Sequence, residues 1–144
     1  MKTLAIILGV LCSFSIVLDA TAADKGHHAR LKALERVHSS ERTAAQQLEL
    51  AQHYYRGRKL EQSYQQLDLF LQRQPSHTEG WLLMGDIWKE WGQWQQALEA
   101  YSQAAALSPD RADIHLRRGQ AFENLGKQEE ADQAYAQYTA LMKQ

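Results

Sequence analysis

The sequence predicts an all-α fold, a solenoid of three stacked helix pairs preceded by an extra N-terminal helix. Three observations carry this. Large and small residues recur at a spacing of 34: Gly85, Trp88, Gly92, Ala97 and Tyr101 become Gly119, Phe122, Gly126, Ala131 and Tyr135. Shifted back by 34, Pro109, Gly85 and Trp88 become Pro75, Ala51 and Tyr54. The third observation is punctuation: Pro75 and Pro109 fall between copies, where no helix hydrogen bond is lost, and Gly57, Gly92 and Gly126 fall at the turn inside each copy. A fixed period of this length marks units that bury their apolar faces only by stacking.

Taken in order, the chain opens with Lys2 and an uncharged apolar run from Leu4 to Leu18, followed by Asp19 and Ala20-Thr21-Ala22. This pattern predicts a secretory signal peptide, residues 1–22, cut before Ala23. The alternative is an uncleaved anchor, but about 15 apolar residues fall short of the roughly 20 that a span needs. The one cysteine, Cys12, lies inside the apolar run, preceded by the bulky Leu11, which argues against a lipoprotein. It leaves with the signal, so the mature chain depends on helix packing rather than disulfides.

Residues 23–40 carry Leu31, Leu34 and Val37 at helical spacing and predict a capping helix, with Ser39-Ser40 offering an N-cap to the next one. Six further helices are expected near 41–56, 59–73, 77–91, 94–107, 111–125 and 127–142. Gly85 and Gly119 fall in mid-helix, which costs about 1 kcal/mol each against alanine and implies close helix contact there. Ala97 and Ala131 are expected at the same tight contacts. In the last copy, Asp132 and Thr139 stand where earlier copies have Leu98 and Ala105. A polar end of this kind caps a repeat array; the alternative leaves Tyr138, Leu141 and Met142 to pair with a second subunit.

The series Trp81, Gly85, Trp88, then Ala97 and Tyr101, then Pro109 resembles the tetratricopeptide repeat. The resemblance covers residues 44–77, 78–111 and 112–144. It implies a right-handed solenoid whose first helix in each pair lines a concave groove, and a scaffold or adaptor that binds a partner protein or peptide. With the signal it implies a periplasmic protein of an envelope assembly or maturation complex, such as cytochrome c maturation, pilus or secretion assembly, or the cell wall. The middle copy matches best. The first has Ser63, Leu67 and Phe70, and the third Arg118 and Tyr138, where the family prefers other residues.

The repeated register along the first helices selects the candidate groove. It comprises Leu48, Gln52 and Tyr55, then Leu82, Asp86, Lys89 and Glu90, then Leu116, Gln120 and Glu123. Leucine at 48, 82 and 116 forms a stripe that either faces a ligand or packs against a neighbouring helix. Family members that clamp a terminal carboxylate carry basic residues at such positions. Here Asp86, Glu90 and Glu123 instead suggest an apolar partner segment bearing Lys or Arg.

No catalytic, cofactor or metal site is expected. No serine has a nucleophile-elbow context, no glycine-rich phosphate loop is present, and the six histidines are not spaced as ligands, with His27-His28 only a weak candidate. His115 replaces Trp81 one period on and is read as a packed imidazole, and Trp81, Trp88 and Trp94 as core, with Trp91 partly exposed. Loss of Lys2 and Asp19 leaves 15 basic and 16 acidic groups, so the net charge stays −1. That balance gives no basic surplus for nucleic acid or an anionic membrane. The mature chain is expected to be a monomer, with a self-associating helical-repeat module as the alternative. Sequencing the N-terminus of the exported protein should give Ala23; an intact Met1 in the membrane fraction would favour the anchor.

Overall fold

The computed structural model describes Gly26 and residues 28–143; the expected signal peptide and His27 lie outside them. The chain divides into two compact units after Glu41. In the first, residues 28–36 form helix α1, with Leu34 buried and Leu31 and Val37 half-buried, and a single 3-10 turn follows at Ser39–Glu41.

The second unit holds α2 (Ala44–Arg56), α3 (Leu60–Arg73), α4 (Thr78–Glu90), α5 (Trp94–Leu107), α6 (Ala112–Asn124) and α7 (Gln128–Leu141). No strand occurs among the described residues. Consecutive helices pair as α2–α3, α4–α5 and α6–α7, and the pairs join through α3 against α4 and α5 against α6. This is the helical-repeat solenoid that the period predicts. The first helix starts later than Ser39-Ser40 suggests. Thr43 is its N-cap: its hydroxyl accepts from the Gln46 amide, and the Gln46 side chain accepts from the Thr43 amide in return. That reciprocal pair satisfies two orphan donors, which an isolated serine cannot do.

The core lies between repeats. One cluster joins Ala51, Leu67, Phe70 and Leu71 to Met84, Ile87 and Ala100, and a second joins Leu82, Ala97, Leu98 and Tyr101 to Ile114 and Ala121. Ala97 and Ala131 are fully buried, as expected of close helix contacts. Trp91 is half-buried and packs with Trp88 (5.1 Å between ring centroids) and Tyr64 (5.6 Å), so it extends the first cluster. The Trp81 indole donates to the Pro75 carbonyl at 2.8 Å. One period later the buried His115 Nε2 donates to the Pro109 carbonyl at 2.7 Å. The packed imidazole thus takes over the indole's bond as well as its place.

Gly92 and Gly126 have φ of 71° and 72°, the left-handed turn that glycine makes without steric cost. In the first repeat that turn is made by Arg58, with φ 58°, and not by Gly57, whose φ is −77°. The 34-residue spacing accounts for this, since Gly92 maps back onto Arg58 and Gly57 onto Trp91.

Gly85 meets the ring of Tyr101 so closely that an added Cβ would lie 2.3 Å from it; at Gly119 the distance to Tyr135 is 2.4 Å. Both hydroxyls are hydrogen-bonded, but Tyr101 is only 1% exposed, whereas Tyr135 is half-buried and has room to give. Gly85→Ala should therefore destabilise by about 1–3 kcal/mol despite its better helix propensity, and Gly119→Ala by clearly less. Urea midpoints of the two variants check this ordering.

Candidate functional site

The first helices of the three pairs, α2, α4 and α6, together line a cavity of about 220 Å³. Its walls are Gln52, Tyr55 and Arg56 from α2, Glu79, Leu82, Leu83 and Asp86 from α4, and Arg117 from α6. Four residues of the predicted groove meet there: Gln52, Tyr55, Leu82 and Asp86. The other six do not line it. Leu48 is half-buried against the first core cluster. Leu116 is half-buried and Gln120 exposed. Glu123 accepts the Tyr135 hydroxyl at 2.8 Å. Lys89 and Glu90 are engaged by neighbours described below.

The leucine stripe is therefore not a uniform solvent-facing wall. Leu82 is only 3% exposed and belongs to the second core cluster, with just an edge on the cavity. Packing, rather than exposure to a ligand, explains its recurrence best. Every third or fourth position on these helices faces a neighbouring helix, and the leucines of α2 and α4 pack into the clusters that join successive pairs, while Leu116 of the last pair is half-buried.

Asp86 is the centre of the cavity's electrostatics. Its Oδ1 accepts from the Tyr101 hydroxyl at 2.8 Å and lies 3.5 Å from Lys89 Nζ, while Oδ2 accepts from Arg117 Nη1. The side chain is 15% exposed. Burial, with the Asp86 charge and hydrogen bond, raises the Tyr101 pKa strongly, so Tyr101 stays a donor. Burial opposes the charge of Arg117, but its bond to Asp86 outweighs that and raises its pKa.

The other acids are also answered within the fold. Arg111 pairs with Glu79 on α4 and, through Nε and Nη2, with both oxygens of Asp113 (3.1 and 2.8 Å). Arg58 Nη2 lies 2.7 Å from Glu90 Oε2. The expectation that Asp86 and Glu90 offer free charge to a basic partner is thus corrected, whereas the exposed Glu123 accepts a neutral hydroxyl and keeps its charge. Two of these carboxylates hold internal cations and the third a phenol. Arg58, Arg111 and Arg117 escaped the register because they lie outside it. Each nevertheless stands 31 or 32 residues from its acid, close to one repeat, and that spacing was a readable signal.

The unanswered polar groups at the cavity are donors. Arg56 and the Tyr55 hydroxyl have no hydrogen-bond or ionic partner among the described residues. Burial, followed by the charges of Asp86 and Glu90, raises the Tyr55 pKa and keeps that hydroxyl protonated. No group of three potential metal ligands comes together among the described residues, and no described helix is long and apolar enough to cross a membrane.

Two family models match the repeats: the TPR repeat over residues 85–126 and the tetratricopeptide repeat over residues 112–141. Together they support a tetratricopeptide-repeat protein. No curated protein matches the sequence. Among solved structures the chain is similar to a crystal structure of MamA, with a TM-score of 0.77 at 18% identity over 85% of this chain and 72% of that one. It is also similar to a MamA RS-1 ArsTM double mutant, with a TM-score of 0.78 at 14% identity over 86% and 70%. A structure of MamA AMB-1 gives 0.74 at 17% over 88% and 73%. At these identities the likeness concerns the fold.

Asp86→Asn should cost about 1–3 kcal/mol, because it leaves the half-buried Arg117 without its counter-charge at the repeat junction while water still reaches the guanidinium. Arg117→Met should cost less in the Asp86→Asn background than alone, a coupling that a double-mutant cycle measured by urea unfolding resolves. Leu82→Ala should lower stability by about 2–5 kcal/mol, as for a core leucine, whether or not a ligand is present.

Proposed function

We propose that this protein is a non-catalytic interaction scaffold whose concave wall, formed by α2, α4 and α6, receives a segment of a partner protein. The observation that carries this reading is the cavity shared by three successive repeats. A partner lying along it touches all three pairs at once, and the ion pairs linking them hold the wall in one geometry. The repeat matches, which support a protein–protein interaction role, agree with it.

The Lys2 start, the uncharged Leu4–Leu18 run and Ala20-Thr21-Ala22 support export to the periplasm, where the partner would belong to an envelope assembly or maturation complex. The even charge balance supports a protein partner rather than nucleic acid.

A photoreactive amino acid placed at position 52 or 120 in the exported chain tests the groove, with positions 99 and 103 on α5 as controls. All four variants should be recovered from a periplasmic extract. The groove positions should give a discrete cross-linked product with a second protein, absent from the α5 controls. Products only from α5, or products with the mass of a homodimer from every position, would replace the groove with another face or with self-association.

A further inference from the structure

Resting on the groove reading, we infer that the cavity between α2, α4 and α6 is an acidic-side-chain site, which recognises an internal Asp or Glu of the partner segment flanked by an apolar residue. The chemistry follows from which groups at the cavity are already satisfied. Glu79 and Asp86 are its only acidic lining residues, and both are held by cations: Glu79 by Arg111, Asp86 by Arg117 with Lys89 close by. Asp86 also receives the Tyr101 hydroxyl. Asp86 has little capacity left to accept from an incoming lysine or arginine, while Glu79 stands more than half exposed at the rim with one oxygen on Arg111, which offsets its charge.

What remains is donor capacity. Arg56 ends α2, lines the cavity, and has no partner among the described residues. Beside it stand the Tyr55 hydroxyl and the Gln52 amide, one turn back on the same helix face. Arg117 contributes positive charge from the opposite wall, where its Nη1 donates to Asp86 beside the Tyr101 hydroxyl and about a third of its side chain stays exposed. A planar guanidinium with spare donors matches a carboxylate in paired fashion, which an ammonium does not. Leu83 is half-buried on the same wall and offers apolar contact to a neighbouring side chain. A volume of about 220 Å³ has room for an acidic side chain together with part of its apolar neighbour.

Panning a displayed random peptide library on the intact mature chain tests this. Wild-type protein should enrich peptides with an internal Asp or Glu next to Leu, Ile, Val or Phe. The synthetic form of a selected peptide should bind at least tenfold more weakly when its acid is changed to Gln or Asn, and should be indifferent to C-terminal amidation. Arg56→Gln should weaken the same peptide at least tenfold without moving the melting temperature, because Arg56 is exposed and unpaired. Arg56→Glu should shift selection toward peptides carrying Lys or Arg. Enrichment of peptides without an acid, affinity that survives Arg56→Gln, or binding lost on amidation alone would overturn the acidic-side-chain assignment while leaving the groove standing. No enrichment at any position of the library would overturn the groove reading itself.

Discussion

In the second and third pairs the distance between the two helices is set by an aromatic ring lying on a helix with no side chain beneath it. Tyr101 covers Gly85, and Tyr135 covers Gly119, with so little space that even a methyl group would collide. Much else in the second unit follows from that approach. It brings Ala97 and Ala131 to zero exposure. It also aims the Tyr101 hydroxyl past Gly85 to Asp86 of the same helix, on the wall that α2, α4 and α6 share. A packing contact inside one repeat thus becomes part of the electrostatics of the groove.

Asp86 carries the same logic between repeats. A carboxylate removed from water at this depth is costly unless its oxygens are filled, and here Tyr101 from its own pair and Arg117 from the next supply the donors. Such a pair adds little net stability compared with apolar residues of equal volume. Its contribution is to register: Arg117 can reach Asp86 only if α6 sits at one height against α4. Arg111 with Glu79 and Asp113 makes a second tie at the other end of α6's first turns. The apolar clusters tolerate some sliding; these directional contacts do not.

This division explains what could be read in the sequence. Small residues against large ones, prolines between units and glycines at turns are local signals repeated at a fixed spacing, so the six repeat helices were legible to within a few residues. The left-handed turn at Arg58 was legible too, had the spacing been followed strictly from Gly92 instead of from the nearest glycine. The groove was only partly readable. Sequence register identifies which helix face Leu82 and Asp86 occupy, but their exposure depends on how tightly the next pair docks. Leu82 is covered by that docking, and Asp86 is neutralised by a residue 31 positions away. Charge counted along one helix therefore misjudged the wall, because its compensation comes from the following repeat.

The consequence for recognition runs against intuition from the sequence. A wall that displays Glu79, Asp86 and Glu90 looks acidic when written out, yet each of these is already paired, and pairs of this kind contribute little steering field beyond a Debye length. Affinity for a partner then depends on the few groups whose hydrogen-bonding capacity is unspent. An exposed arginine at the end of α2, a protonated phenol beside it and an amide one turn back each have a donor to offer. Paired charges still matter to binding. They hold the donors in place and leave selectivity to the unpaired Arg56, whose counter-charge must come from whatever enters the cavity.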